Sequence, residues 1–382
     1  MPEITIGPVH PLLDEPVAVK LEVEGKTIKA AEIQIGFIHR GIEKLSERMT
    51  FEQVTFLVER ICGICSNVHP LCFVQAVEDI GGIEVPERAK YIRTIIAELE
   101  RIHSHLLWLG IAGHILGAHE IFLKSWRYRE PVLDIFELVC GNRQNYAMMA
   151  VGGVRKDIPS AYVPKIIETL KFLKEKVPKL AEEVRSSLGK RLRDIGVLTK
   201  ENAISYCTTG PTARATGLPI DTRKNHPYAA YPELEFEIVN RDEGDVLAQT
   251  EVRMGEIIQS IHILEQALRN LPPGEIRAEF KNIPPGEGIG LAEAPRGEDI
   301  HYVRTNGTNM PERHKIRAPT YVNLPALEAM LPGNKLEDAF IIVASIDPCF
   351  SCTDRVTIVN ERGEERVVSE EELLRMSRNA AL

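Results

Sequence analysis

The chain has no excess of basic residues: 46 Lys and Arg against 55 Asp and Glu give a net charge of -9 and a pI near 5.8. A basic stripe able to neutralise phosphates is therefore missing, which argues against a nucleic-acid partner. It also has no run of about 18 uncharged apolar residues of the kind that crosses a bilayer. The nearest approach, Thr94 to Leu116, is interrupted by Glu98, Glu100, Arg101 and three histidines. The first residues lack the charged and then apolar pattern of a signal peptide, so a cytoplasmic location is expected, with any membrane link running through partners. Internal repeats, low-complexity tracts and a ferredoxin-like cysteine run are absent as well.

Cysteine is scarce, and what there is falls into a pattern. Of seven cysteines in 382 residues, four form two C-x-x-C pairs, Cys62/Cys65 and Cys349/Cys352, which bracket most of the chain. A C-x-x-C turn lets two thiolates converge on one metal, and two such turns supply four soft ligands. A small zinc module closes within a few tens of residues; here nearly the whole fold lies between the pairs. The expectation is one integrated unit around a buried metal. Spacing alone leaves a structural zinc or iron-sulfur site and a catalytic metal equally open. Cys72, Cys140 and Cys207 have no C-x-x-C partner and read as small buried hydrophobes.

Apolar periodicity predicts helices over 38–49, 51–60, 67–81, 86–117, 121–140, 164–194 and 245–270, with both early cysteines at a break between helices. Strands are expected on either side of Glu24-Gly25-Lys26, and at 288–293 and 299–304 around Pro295-Arg296-Gly297. Two short helices, 324–330 and 336–345, lead into the second Cys pair. The fold class is mainly α (α+β): a central helix bundle with small peripheral antiparallel sheets. The stretch 206–235, rich in Pro and Gly, reads as a long loop ordered by what it covers.

The residues flanking the cysteines narrow the choice. Arg60-Ile61-Cys62-Gly63-Ile64-Cys65-Ser66-Asn67-Val68-His69 and Asp347-Pro348-Cys349-Phe350-Ser351-Cys352 resemble the paired motifs of the nickel-iron hydrogenase large subunit. Arg355, Glu98 to Leu107 and Gly7-Pro8-Val9-His10-Pro11 are similar to the membrane-bound, energy-converting group, which is related to the quinone-site subunit of complex I. The likeness runs from about Gly7 to Arg355, taken as a single domain, 1–355.

The resemblance implies a nickel-iron centre whose iron carries CO and CN ligands. Cys62 and Cys349 would be terminal ligands to nickel, with Cys65 and Cys352 bridging to iron. It further implies Glu15 as the proton gate, Arg296 above the open face of the metal, His69 hydrogen-bonded to a bridging sulfur, and Asp347 and Arg60 orienting the two cysteine turns. A solvated carboxylate, an exposed turn arginine, a helix-capping histidine and a plain ion pair are the bland readings of the same residues. Glu43 resembles the ligand of a second, structural magnesium or iron; Arg355 stands where many relatives supply His, and a cation does not ligate a cation. That leaves the second site in doubt, with an Arg355–Glu43 pair as the alternative. The histidines at 103, 105, 114 and 119 lack the i, i+4 spacing of paired helix ligands and are expected to pack and hydrogen-bond.

The implied function is formation or cleavage of dihydrogen on the cytoplasmic side of a membrane. The implied partners are an iron-sulfur small subunit, a ferredoxin-type carrier and integral membrane ion-translocating subunits. A connector subunit like that of complex I and a sulfane-sulfur reductase subunit remain as alternatives. Residues 356–382 form an extension, expected either to be cleaved during maturation or to dock as a strand and helix.

Overall fold

The computed structural model describes residues 17–349 in full and, by backbone, the strands at 3–6, 357–359 and 365–367. The first layer is an antiparallel sheet, β1 (Glu3–Ile6), β2 (Ala18–Glu24) and β3 (Thr27–Gln34), with Gly25 in the left-handed turn between the last two. α1 (Ile42–Ser46) follows and is shorter than the periodicity predicts. Gly36 and Gly41 adopt φ of 99° and 65°, which breaks any helix before Ile42. α2 (Phe51–Val58) opens on a capping box in which Thr50 and Gln53 exchange hydrogen bonds of 3.0 and 3.3 Å. α3 (Val68–Gly81) carries Pro70 in its first turn, where a missing N–H costs nothing, and ends on left-handed Gly82.

The bundle consists of α4 (Glu87–Ile115), α5 (His119–Cys140), α6 (Val163–Leu192) and α10 (Val246–Asn270), with α4 packed on α5 and α10, and α10 on α6. Between α5 and α6 lies the short hairpin β4 (Met149–Ala150) and β5 (Gly153–Val154). α4 is buried almost all round, including Glu98, Glu100 and Arg101, so it is the central rod of the molecule rather than a surface amphipath. α6 is apolar on one side only, in keeping with its place at the edge. The segment 206–235, expected as a loop, holds two short helices and a 3₁₀ turn. After α7 (Lys200–Ser205) come α8 (Gly210–Arg214) and α9 (Thr222–Asn225).

A second sheet, β6 (Pro285–Ala294), β7 (Gly297–Asn306) and β8 (Arg313–Arg317), is antiparallel, with Pro295-Arg296 as the two-residue connection between β6 and β7. α3 lies directly on it. A Cβ added to Gly286, Gly288 or Gly290 would meet Ile80, Ala76 or Cys72 respectively; at Gly290 it would stand 1.8 Å from the Cys72 carbonyl. Every second strand residue thus faces every fourth helix residue, and only glycine permits so close an approach. α11 (Pro319–Asn323), α12 (Leu327–Met330) and α13 (Ala339–Ser345) close the core and lead into Cys349, the last two each entered through a 3₁₀ turn. β9 (Thr357–Val359) pairs with β10 (Glu365–Val367), and the helix expected from Glu370 lies outside the described residues. The architecture is mainly α, with small antiparallel sheets at the periphery.

Candidate metal centre

The first cysteine turn sits between α2 and α3. Ile64 and Cys65 donate backbone N–H to the Cys62 sulfur at 3.4 and 3.1 Å, and the Ser66 hydroxyl donates to the Cys62 carbonyl at 3.1 Å. Amides aimed at a sulfur favour its thiolate form. Arg40 clamps the turn from outside, donating to the Arg60 and Ile61 carbonyls at 2.7 and 2.9 Å. Arg60 itself is turned away: half-exposed, it pairs with Glu59 and lies over the Tyr146 ring at 4.3 Å. Its guanidinium donates to the Phe56 carbonyl and to Glu59.

From the other end of the chain, the Cys349 N–H is anchored on the Thr320 hydroxyl at 3.1 Å. Cys62, Cys65 and Cys349 are all buried. The guanidinium that joins them belongs to Arg296, only 2 % exposed. Nη1 donates to the Cys65 sulfur and the Ser104 hydroxyl, both at 3.2 Å, while Nε and Nη2 donate to the Asp347 carbonyl at 2.5 Å and carboxylate at 2.8 Å. Burial opposes this charge, yet Asp347, Cys65, Cys62 and Cys349 together hold it well above the ordinary guanidinium range. Three sulfurs from opposite ends of the sequence thus lie within electrostatic reach of one buried cation, and the exposed-arginine reading is removed. The turn is also fixed from above: at Gly210, with φ of 67°, a Cβ would stand 2.3 Å from the Arg296 carbonyl.

Without a metal the set is poised against itself. The hydrogen bond with Cys62 comes first, and then burial, in pushing the Cys65 thiol well above its usual value; Arg296 only partly offsets them. A soft metal is the kind of cation that would stabilise these buried sulfurs as thiolates. Among the described residues Cys62, Cys65 and Cys349 do not form a set of three at metal-ligand spacing, so what supports a soft metal here is the chemistry of the buried sulfurs and not a closed cysteine site. Cys352, Glu15 and Arg355 lie outside the described residues.

Glu43 stands apart from the sulfurs, at the junction of α1 and β8. Its carboxylate accepts from Lys315 Nζ at 2.8 Å and Ile316 N–H at 3.1 Å. Among the described residues the one cluster with metal-ligand spacing is His69, Asp299 and His301, which does not include Glu43. His69 is buried, with Nδ1 2.9 Å from Asp299 Oδ2 and 3.1 Å from His301 Nε2. His103 accepts from Arg129 at 2.8 Å and His105 meets Glu256 at 2.9 Å, so both are hydrogen-bonding residues of the core.

Sequence reasoning missed three features. Glu100 is fully buried; Oε2 accepts from Asn67 N–H at 2.7 Å and Asn145 Nδ2 at 2.5 Å, while Oε1 has no hydrogen-bond partner among the described residues. Burial, helped by Cys62, raises its carboxyl to about 8 against the pull of those two donors. Second, His301 and His314 extend the His69 cluster. Third, a buried charge network locks the Arg296 turn. Glu98 takes Arg223, Tyr231 and Ser260; Glu256 takes Arg214 and His105; Glu293 takes Arg214 and Thr222 N–H. Arg101 donates to the Glu293 and Ala294 carbonyls at 2.7 and 3.2 Å, immediately before the turn. Arg214, Asp221 and Arg223 all come from 206–235, so that segment is ordered by the ion pairs it buries.

Comparisons with known proteins agree with this geometry. The model of the respiratory-chain NADH dehydrogenase 49 kDa subunit matches residues 116–283 and 278–355, and that of nickel-dependent hydrogenase matches 40–110. A membrane-bound hydrogenase subunit alpha of Pyrococcus furiosus is 42% identical, the alignment covering 98% of this chain and 92% of the relative. The chain belongs to the family that unites nickel-iron hydrogenase large subunits with the 49 kDa subunit of complex I. Within this hydrogenase–complex I family, a subunit of the NADH-quinone oxidoreductase of Geobacillus kaustophilus is 37% identical over 90% of this chain and 95% of its own. The fold is shared with a solved structure of an archaeal membrane-bound sulfane sulfur reductase. It has a TM-score of 0.88 and 35% identity, and the match covers 93% of this chain and 98% of that one. The family relatives are thus subunits of membrane-associated redox complexes. Among the described residues no helix is long and apolar enough to cross a membrane.

Proposed function

We propose that this chain is the catalytic subunit of an energy-converting nickel-iron hydrogenase, bound through partner subunits to the cytoplasmic face of a membrane. The observation that carries the reading is the gathering of Cys62, Cys65 and Cys349 around the buried Arg296 guanidinium. Cys62, Cys65, Cys349 and Cys352 are the residues that would hold the metal group. The bound nickel-iron group, with CO and CN on iron, supplies the Lewis acid and the electron exchange that heterolytic dihydrogen chemistry needs. Arg296, fixed at both ends, holds a positive field on the sulfurs and on small ligands beside them. A cysteine thiolate of the set would accept the proton, and Glu15 would pass it on. Electrons leave through an iron-sulfur small subunit to a ferredoxin-type carrier, and integral membrane subunits couple the flow to ion transport. Glu43 is retained as ligand of a magnesium or iron site only if Lys315 gives way. Maturation is proposed to remove 356–382 by a cut after Arg355, so a mature chain still ending at Leu382 in active enzyme would oppose that step.

Elemental analysis of the purified complex tests the centre: nickel and iron in equal amounts, with infrared bands of CO and CN, are expected. Zinc alone overturns the reading. Replacing any of the four cysteines with Ser abolishes ferredoxin-linked dihydrogen evolution, and Glu15→Gln keeps nickel while slowing exchange of D2 with solvent protons. The likeness to the sulfane sulfur reductase favours a second reading, reduction of sulfane sulfur on the same scaffold. Assaying one preparation for both reactions separates the two.

A further inference from the structure

Where α3 lies on β7, His69, Asp299 and His301 form a compact donor set. His69 Nδ1 stands 2.9 Å from Asp299 Oδ2 and 3.1 Å from His301 Nε2, and those last two atoms are 3.6 Å apart. A divalent ion that bonds nitrogen and oxygen at about 2.0–2.2 Å in a tetrahedral shell sets its ligand atoms about 3.3–3.6 Å from one another. The observed separations run from just under that range to its upper end, so small side-chain shifts admit an ion. His69 comes from the first turn of α3, and Asp299 and His301, two apart, share one face of β7. All three are buried.

The surroundings orient each donor. Ser46 donates its single hydroxyl hydrogen to the Glu43 carbonyl at 2.7 Å, so toward His314 Nδ1, 2.9 Å away, its oxygen can only accept. His314 is then Nδ1–H, and its bare Nε2 accepts from His301 Nδ1–H at 3.0 Å. That leaves His301 with a bare Nε2 facing the cluster, the tautomer a metal ligand requires. Burial keeps both His301 and His314 below the ordinary imidazole range, so these rings are neutral. Asp299 is steadied from its backbone side, where the Cys72 thiol donates to its carbonyl at 3.4 Å.

Asp299 asks for a cation. Its carboxylate is fully buried, and among the described residues neither oxygen has a well-aligned hydrogen-bond donor. Burial resists its charge, yet His69 and His301 hold it well below the usual carboxylate range, so it stays ionised. His69 answers in part. Burial opposes a charge on its ring, but Asp299 raises its affinity for a proton, and that proton occupies the position a metal ion would take.

We propose that His69 Nδ1, Asp299 Oδ2 and His301 Nε2 bind a zinc-class divalent ion that pins α3 to β7. Two imidazoles and a carboxylate are a ligand set that such ions accept. The ion replaces the Nδ1 proton of His69: three metal–ligand bonds form, one N–H bond breaks, and the proton goes to solvent with no change of oxidation state. Because the donors are covered once α3 has docked, the ion is taken up as the helix closes on the sheet. The site shares no ligand with the four paired cysteines, so it stands whether or not those carry nickel.

Two measurements test it. The full-length chain, produced with Co2+ and without nickel, should show the visible bands of cobalt in a nitrogen–oxygen shell, whereas cobalt on cysteine adds sulfur charge-transfer bands in the near ultraviolet. Asp299→Asn and His301→Gln should each lose the nitrogen–oxygen bands, bound cobalt falling by one per chain, with any sulfur bands unchanged. In the unmutated chain labelled with ¹⁵N-histidine and prepared with and without zinc, NMR should show the His69 Nδ1 and His301 Nε2 signals moving together while those of His105 stay in place. Unmoved His69 and His301 signals overturn the site, as do nitrogen–oxygen bands that survive in either variant. An unmutated chain whose cobalt is bound by sulfur alone overturns it too and leaves the cysteine centre standing. Absence of nickel from the purified complex counts against the hydrogenase reading alone.

Discussion

Arg296 is held by Asp347 from two directions, through the backbone carbonyl at 2.5 Å and the carboxylate at 2.8 Å, and Asp347 adopts φ of 56° to do so. A left-handed aspartate just before the Pro348-Cys349 step stores strain that only a tight partner holds in place. The two residues come from different parts of the chain, and through Arg296 the segment entering Cys349 is tied to Cys65 of the first turn.

Asp347→Asn keeps an acceptor and a residue type that tolerates the left-handed region, whereas Asp347→Ala keeps neither. We expect the alanine variant to lose about 2–4 kcal/mol of stability and the asparagine variant to lose distinctly less. Urea unfolding of both measures the order. Equal losses would mean that the carboxylate does not hold Arg296.

Arg296→Lys retains the charge but gives up the fork that reaches Asp347, Cys65 and Ser104 together. On the proposed hydrogenase reading, nickel content is expected to persist while dihydrogen evolution drops about a hundredfold, the scale of losing one preorganised electrostatic group. Parallel nickel analysis and activity assays read the split; a variant with full activity would reduce Arg296 to a structural clamp.

The long helices, the β2–β3 and β6–β7 hairpins and the first cysteine turn were legible in the sequence because each rests on a local pattern: 3.6-residue periodicity, a glycine turn, a C-x-x-C. What stayed hidden depends on distance along the chain. Glu98, Arg101, Arg214, Arg223 and Glu256 carry the composition of solvated helix faces, and their burial follows from pairing across up to about 160 residues, which no local period encodes. His301 and His314 looked like ordinary strand residues, since their alignment with His69 exists only once α3 lies on the sheet. The overlong α1 has a simpler cause: Gly41 falls inside the helix expected over 38–49 and takes a positive φ of 65°.

Glu256 anchors that hidden network. Burial resists its charge, yet Arg214, His105 and Arg101 hold its carboxyl well below the usual range. Its contribution is therefore complete above the ordinary carboxylate value of 4.5 and is lost as pH falls below it. Glu256→Gln leaves Arg214 short of a partner and should cost about 3–5 kcal/mol near neutral pH, a gap that shrinks in acid. Thermal or urea unfolding at pH 7 and pH 4 checks both halves.

Gly290→Ala places a methyl 1.8 Å from the Cys72 carbonyl, so α3 has to lift from the sheet. Overpacking of this kind costs about 3 kcal/mol or more when backbone is the obstacle. Because the lift also separates His69 from His301, the variant should perturb the imidazole signals beyond its effect on stability. Gly25→Ala, at an open turn, serves as the control and should leave those signals unmoved.

Glu100 gives the sharpest pH signature. Burial raises its carboxyl from 4.5 to about 8 in the folded chain, so the neutral form is the one the fold prefers. A raised carboxyl contributes stability that is fully present below pH 4.5 and is lost as pH climbs through 8, at most about 5 kcal/mol for one site by linkage. Glu100→Gln keeps the neutral shape and the acceptor toward Asn67 N–H but cannot ionise. The chain before metal insertion should therefore lose stability between pH 5 and pH 8 more steeply than the Gln variant does. Taking the difference between the two proteins cancels every other titrating group. Urea unfolding at three pH values across that window decides it. Parallel curves would show that Glu100 ionises as an ordinary carboxylate, and that its uncompensated oxygen finds another donor beside Cys62.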